Sequence, residues 1–101
     1  MQHIKRVQEM EDRFSDVLQA VSVLEVALDA YQGAQKALKE LTAYYESPQW
    51  IADFDLDSAG EFPKDMKRGV LSEDGVYDLL FRNQALLSQM NSLLEDRSHD
   101  L

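Results

Sequence analysis

Cysteine is absent from this sequence of 101 residues, which excludes disulfide bonds and thiolate metal sites. The two histidines, His3 and His99, stand near opposite ends of the chain, where neither is a credible general base. No glycine-rich phosphate loop and no other catalytic motif occurs. We therefore expect a protein that is not an enzyme and that uses no cofactor and no metal ion.

Basic charge and long apolar runs are also scarce. Ten Lys and Arg residues stand against 19 Asp and Glu residues, giving a net charge of −9. Such a field repels phosphate and anionic lipid headgroups, so neither nucleic acid nor a membrane is an expected partner. Because no apolar run approaches membrane-spanning length and no signal peptide is evident, we expect a cytoplasmic location. The expected partner is another protein or a second copy of the chain.

The composition that remains is that of an ordinary globular protein. Hydrophobic residues make up 45% of the chain and charged residues 29%, which argues against intrinsic disorder. A chain of this length suits a single domain. We therefore predict one helical domain over residues 1–101.

Residues 3–46 contain no proline and carry a regular apolar stripe. Its members recur at alternating steps of three and four, which is the spacing of one helical face. They are Val7, Met10, Phe14, Val17, Val21, Leu24, Leu28 and Tyr31. The spacing predicts one long helix over about 3–46. A shortened step after Tyr31, beside Gly33, predicts a bend there and not a break.

A second long helix is predicted over about 73–97. Ser72 is a suitable N-cap, and Leu71 can pack against Val76 across the cap. The apolar positions that follow form a wide stripe, typical of a helix with two neighbours: Val76, Leu79, Leu80, Leu86, Leu87, Met90, Leu93 and Leu94. Asn83 interrupts this stripe, and a polar residue in such a place often sets register or oligomeric state.

These patterns predict an all-α fold, either an antiparallel helical hairpin or a bundle of two long helices with short helical turns between them. At 1.5 Å per residue the helices would measure about 66 Å and about 37 Å, so the shorter one is unable to cover the longer one. We therefore expect a homodimer that completes a four-helix bundle.

The segment between the long helices is rich in aromatic residues. Of the nine in the chain, five fall within residues 44–62: Tyr44, Tyr45, Trp50, Phe54 and Phe62. They either close the open end of the hairpin or anchor a partner. Pro48 ends the first helix, and Ser47 is placed to cap a short helix that carries Trp50 and Phe54 on one side.

The same segment alternates between acidic and basic charge. We interpret residues 53–61 as an acidic loop closed by Gly60, and residues 63–68 as a short helix stopped by Gly69. The basic cluster of Lys64, Lys67 and Arg68 either pairs with nearby carboxylates or binds an acidic partner.

The acidic residues of this segment imitate part of a calcium-binding loop. Asp53, Asp55 and Asp57 match its first three ligand positions, but Ser58 and Lys64 stand where glycine and glutamate are required.

Our first hypothesis is therefore a non-catalytic protein–protein interaction module. Its candidate partner-binding residues are Tyr44, Tyr45, Trp50, Phe54, Phe62, Lys64, Lys67 and Arg68. The alternative is a small ligand- or cation-binding protein that uses residues 53–68.

Three stretches carry a resemblance to a known family. They read IKRVQEMEDRF at 4–14, YYESPQW at 44–50 and PKDMKRGVLSEDGVYDLL at 63–80. Together they make the chain resemble a family of bacterial proteins catalogued as a domain of unknown function, number 4298. The resemblance implies a small helical protein without an assigned activity, so it transfers no functional residues.

Overall fold

The computed structural model describes the backbone of residues 1–100 and the side chains of residues 1–97. Over that range it contains four α-helices and one 3₁₀ turn, and no strand. The helices are α1 (Gln2–Gly33), α2 (Gln35–Tyr45), α3 (Pro48–Ser58) and α4 (Gly75–Asp100), and the 3₁₀ turn is Gly69–Leu71. The predicted all-α class is therefore confirmed.

The chain divides into two compact units, Met1–Lys39 and Glu40–Leu101. The first holds α1 and the start of α2, and the second holds the remaining elements. None of the described helices combines the length and the apolar character that a membrane span needs. The single domain, the antiparallel pairing of the two long helices and the homodimeric bundle stay predictions.

The predicted helix over 3–46 is two helices, α1 and α2, which are separated by Ala34. Ala34 has φ −88° and ψ −3°, which lies at the edge of helical geometry. Its N–H is shared between Ala30 O at 3.1 Å and Tyr31 O at 3.2 Å, and the Tyr31 carbonyl also accepts the side-chain amide of Gln35 at 3.0 Å. The prediction located the irregularity correctly beside Gly33, but a bend without a break was wrong. A side-chain donor here takes a carbonyl that the backbone ladder would use.

The start of α3 agrees with the prediction in position. Ser47 has extended backbone (φ −92°, ψ 156°) and Pro48 occupies the first helical position. The Ser47 hydroxyl does not cap α3, however. It donates to Tyr44 O at 2.6 Å and so satisfies a carbonyl at the end of α2.

The predicted acidic loop over residues 53–61 was wrong, because α3 continues through Ser58. The helix ends in a Schellman arrangement, in which Gly60 N–H bonds to Asp57 O and Glu61 N–H to Leu56 O, both at 3.0 Å. Gly60 has φ +77°, where a side chain would be strained. The closing glycine was identified correctly, but the helix before it was missed because its aspartates interrupt any apolar period.

The short helix predicted over residues 63–68 was also wrong. Met66 N–H bonds to Pro63 O at 3.2 Å, which closes a single turn that does not continue. Six residues are too few to nucleate a helix without packing. Gly69 does not stop a helix and instead begins the 3₁₀ turn.

The N-terminus of α4 is held by Ser72, as predicted. Its Oγ accepts the Gly75 N–H at 3.0 Å and donates to Gly69 O at 2.9 Å, so one hydroxyl joins α4 to the 3₁₀ turn. Leu71 and Val76 flank the cap and are 4% and 3% exposed. They are the two buried hydrophobic side chains of the described residues. The helix begins two residues later than predicted and extends to Asp100.

Candidate functional site

Three aromatic rings, those of Tyr45, Trp50 and Phe54, form a cluster in the second unit, called the aromatic cluster below. The rings of Tyr45 and Trp50 meet edge to face, with centroids 5.0 Å apart and an angle of 72°. The rings of Trp50 and Phe54 are stacked at 5.3 Å. The indole Nε1 donates to Val70 O at 2.7 Å. Trp50 therefore joins the end of α2, the middle of α3 and the 3₁₀ turn.

Tyr44 lies beside this cluster and holds Asp53. Its hydroxyl donates to Asp53 Oδ2 at 2.6 Å, and Gln49 Nε2 donates to Asp53 Oδ1 at 3.1 Å. The hydrogen bond to the carboxylate, together with burial and the negative charge of Asp53, raises the pKa of Tyr44 to about 12. Both oxygens of Asp53 are thus occupied by groups of the same unit.

Replacing Tyr44 with phenylalanine is expected to lower the free energy of unfolding by about 1 kcal/mol at neutral pH. Because the folded pKa lies above the ordinary value of 10.0, this stabilisation is complete below pH 10 and is lost as the pH rises toward about 12. Urea unfolding of both proteins across this range measures the difference. A difference that stays constant with pH would contradict the role of this hydroxyl. In a pH titration followed by phenolate absorbance, the tyrosine that ionises at the highest pH in the wild type should be missing from Tyr44→Phe.

The basic cluster divides into one paired and two exposed residues. Arg68 Nη1 lies 2.7 Å from Asp57 Oδ1, and both side chains are partly buried. Lys64 and Lys67 are exposed. The contact favours a structural role for Arg68, because it connects the end of α3 with the chain that precedes the 3₁₀ turn. Binding of an acidic partner by the two lysines stays a prediction.

The aspartates that imitate a calcium loop lie on α3. A helical spacing of two residues turns Asp55 away from the face shared by Asp53 and Asp57. Asp53 is bonded to Tyr44 and Asp57 to Arg68. Within the described residues, no group of three or more His, Cys, Asp or Glu side chains is placed to hold a metal ion.

The eight candidate partner-binding residues thus have different surroundings. Contacts within the second unit engage Tyr44, Tyr45, Trp50, Phe54 and Arg68. Phe62 is half-buried, and Lys64 and Lys67 are exposed. Their function in partner binding stays a prediction, as does the register-setting function of Asn83, which is half-buried on α4. His3 is exposed on α1, and the side chain of His99 lies outside the described residues.

An open, mainly apolar depression also occurs in the second unit. It has a volume of about 330 Å³ and is lined by Leu41, Lys67, Gly69, Val70, Gly75, Val76 and Leu79. No sequence pattern indicates this depression, because its lining residues come from α2, residues 67–70 and α4, which are separate in the sequence. Its one charged lining residue is Lys67, and the lining holds no cluster of polar side chains that would select a small ligand.

The surface of α1 is more exposed than its apolar stripe predicts. All residues from Gln2 to Ala30 are exposed. Seven of the eight stripe residues are between 41% and 63% exposed, and Tyr31 is half-buried. Four further large apolar side chains on the same helix are also exposed: Ile4, Leu18, Val23 and Val26. A stripe that was expected to face a bundle interior is therefore open in the single chain.

Long apolar-striped helices and one aromatic cluster define the class as a small all-α protein. The family model described as "Domain of unknown function (DUF4298)" matches residues 7–93, so the chain belongs to this family and the predicted resemblance is confirmed. The match extends from α1 into α4 and includes the aromatic cluster. No curated protein and no solved structure matches the chain.

Proposed function

We propose that this chain is a non-catalytic protein–protein interaction module whose main binding surface is the apolar side of α1. The observation that carries the proposal is the exposure of every large aliphatic side chain on this helix of 32 residues. Helices in folded proteins owe most of their stability to packing of such a face. An uncovered face of this length indicates that another polypeptide covers it.

The size of the exposed surface supports the same proposal. A fully buried large apolar side chain removes on the order of 100 Å² from water, so the nine half-exposed ones on the stripe and its edges, which exclude Val23 and Val26, leave on the order of 450 Å² of apolar surface. Monomeric proteins rarely expose contiguous apolar patches larger than a few hundred Å², and larger patches mark interaction sites. The second unit, with its bonded Tyr44, Trp50 and Arg68, acts in this proposal as a separate folded body.

The net charge favours a protein as the partner. The cytoplasm is the proposed location of the module. A chain with a net charge of −9 associates poorly with nucleic acid and with anionic membranes. The alternative, a ligand- or cation-binding protein that uses residues 53–68, has less support. Two of its three carboxylates, Asp53 and Asp57, are already bonded within the chain.

A matched pair of aspartate substitutions on α1 tests the proposed function. Leu24 lies on the stripe and is 59% exposed, whereas Gln19 lies on the polar side of the same helix. Leu24→Asp should lower the affinity for a covering polypeptide at least about tenfold, because it places a charge in an apolar seam. Gln19→Asp makes the same change of charge and should leave the affinity nearly unchanged.

The measurement is capture of tagged protein from an extract of producing cells that also contain the untagged chain. We expect a polypeptide, either the untagged chain or a different protein, to be recovered in stoichiometric amount with the wild type and Gln19→Asp but not with Leu24→Asp. Fluorescence of Trp50, the single tryptophan, reports whether the second unit stays folded. Recovery of no polypeptide with any variant, or equal recovery with all three, would refute the proposal.

A further inference from the structure

We propose that α1 binds α1 of a second copy of this chain in a parallel, in-register, two-stranded coiled coil. The inference rests on the proposed function and names its partner. The stripe follows the heptad pattern of such a coil, with positions a at Val7, Phe14, Val21 and Leu28 and positions d at Met10, Val17, Leu24 and Tyr31. Val7 and Val21 at a and Leu24 at d follow the preference of two-stranded parallel coils, whereas the other five seam positions do not.

The charges beside the stripe determine the orientation. Positions g hold Arg6 and Arg13, which are two of the three basic residues of α1, and positions e include Glu11 and Glu25. In a parallel dimer each g residue faces the e residue five places later in the other helix. Arg6 then faces Glu11 of the second copy, and symmetry repeats this ion pair. Arg13 faces Leu18, onto which its aliphatic stem can pack.

The antiparallel arrangement places like charges together. When the same layers of a and d residues are stacked in opposite directions, each e position faces an e position of the other helix. Glu11 of each helix then lies opposite Glu25 of the other helix, and the two negative charges repel each other. Arg6 loses its acidic partner Glu11 in this arrangement, because alanines occupy the g positions that face the two arginines, Ala34 and Ala27. The charge pattern therefore selects the parallel dimer.

The area that this dimer covers is sufficient for a stable interface. The seam and its edges would bury the exposed half of nine large apolar side chains on each helix, which is the seven exposed stripe residues with Ile4 and Leu18. The two α1 helices of the dimer together bury on the order of 900 Å² of apolar surface. Because interfaces are about 60% apolar, the total is about 1,500 Å², the size of standard specific complexes. Val23 and Val26 lie outside the seam and are not counted.

Single cysteines distinguish the two orientations, because the natural chain has none. Met10→Cys is expected to form a disulfide-linked dimer under mild oxidation, since position 10 meets itself only when the helices run parallel. A mixture of Met10→Cys and Leu28→Cys is the corresponding test for the antiparallel form, in which these two positions meet. Gln19→Cys, on the outer side in both arrangements, is the control that should stay unlinked.

The ion pair is tested by exchange of charge. Arg6→Glu should raise the dimer dissociation constant about tenfold, because both symmetric pairs become repulsive. Adding Glu11→Arg should restore the wild-type dissociation constant. A variant that had lost its fold would not be rescued by this second substitution. Sedimentation equilibrium at low salt measures both, since exposed ion pairs are screened by salt.

The outcomes separate this inference from the proposed function. Crosslinks confined to the mixed cysteine pair would overturn the parallel dimer and leave the interaction module in place. A chain that sediments as a monomer at all concentrations would overturn self-association, and the capture experiment would then show whether a different protein covers α1. Met10→Cys crosslinking together with charge rescue would support the parallel dimer.

Discussion

Truncating Trp50 to alanine is expected to lower the free energy of unfolding by about 3 kcal/mol, the largest effect of any single substitution considered for this chain. The indole contacts the rings of Tyr45 and Phe54 and donates a hydrogen bond of 2.7 Å to Val70 O. The truncation removes all three contacts and disconnects α3 from the 3₁₀ turn. The loss lies at the lower end of the range for tryptophan because the side chain is half-buried.

Two control variants separate the contributions to this loss. Ile51→Ala removes a large apolar side chain from the next position of α3, but it is 59% exposed and should cost less than about 1 kcal/mol. Trp50→Phe retains a ring and loses the hydrogen bond, which is worth about 1 kcal/mol. Urea unfolding followed by far-ultraviolet circular dichroism gives the three values. Equal losses for Trp50→Ala and Ile51→Ala would contradict the central position of Trp50 in the second unit.

Adding a methyl group at Gly75 is expected to destabilise the protein by about 2 kcal/mol, although alanine is the better helix former. A Cβ atom there would overlap Ser72 Oγ and would lie 2.7 Å from Gly69 O. The backbone carbonyl has no free rotation by which to move away, so the 3₁₀ turn and α4 must separate. The Ser72 hydroxyl would also lose its capping geometry, which is worth about 1 kcal/mol. These costs exceed the gain in helix propensity of about 1 kcal/mol.

Gly33→Ala provides the matched comparison. Its added Cβ meets nothing within 4 Å, so the same substitution should be neutral or stabilise by up to about 1 kcal/mol. Thermal and urea unfolding should be compared at one protein concentration, because any association of the folded chains shifts the apparent stability. A stabilising Gly75→Ala would show that the turn accommodates a side chain and that Ser72 does not hold α4 in this geometry.

Several elements of the fold could be predicted because their determinants are local in the sequence. Ser72 caps α4 through a hydroxyl that reaches only three residues along the chain, and Gly60 ends α3 through its own positive φ. The helix start at Pro48 follows from a fixed φ and a missing donor. Such features depend on neighbouring residues alone, so the sequence pattern contains them.

The errors occurred where side-chain contacts decide the backbone conformation without leaving a periodic pattern in the sequence. Residues 53–58 are helical because Phe54 packs on Trp50, Asp53 accepts from Tyr44 and Asp57 pairs with Arg68. None of these contacts produces an apolar period, so the segment was interpreted as a loop. The break at Ala34 was missed for a related reason, since the Gln35 side chain takes a carbonyl of the preceding turn.

The sequence by itself determined the all-α class, the two long apolar stripes, the cap at Ser72 and the family, because periodicity and local hydrogen bonding depend on order along the chain. Only the tertiary structure decided what each apolar surface contacts. It places the aromatic cluster within the second unit, joins Arg68 to Asp57 and leaves the α1 stripe exposed. Hydrophobic burial depends on which surfaces meet in space, and a periodic stripe specifies a buried face without specifying its partner.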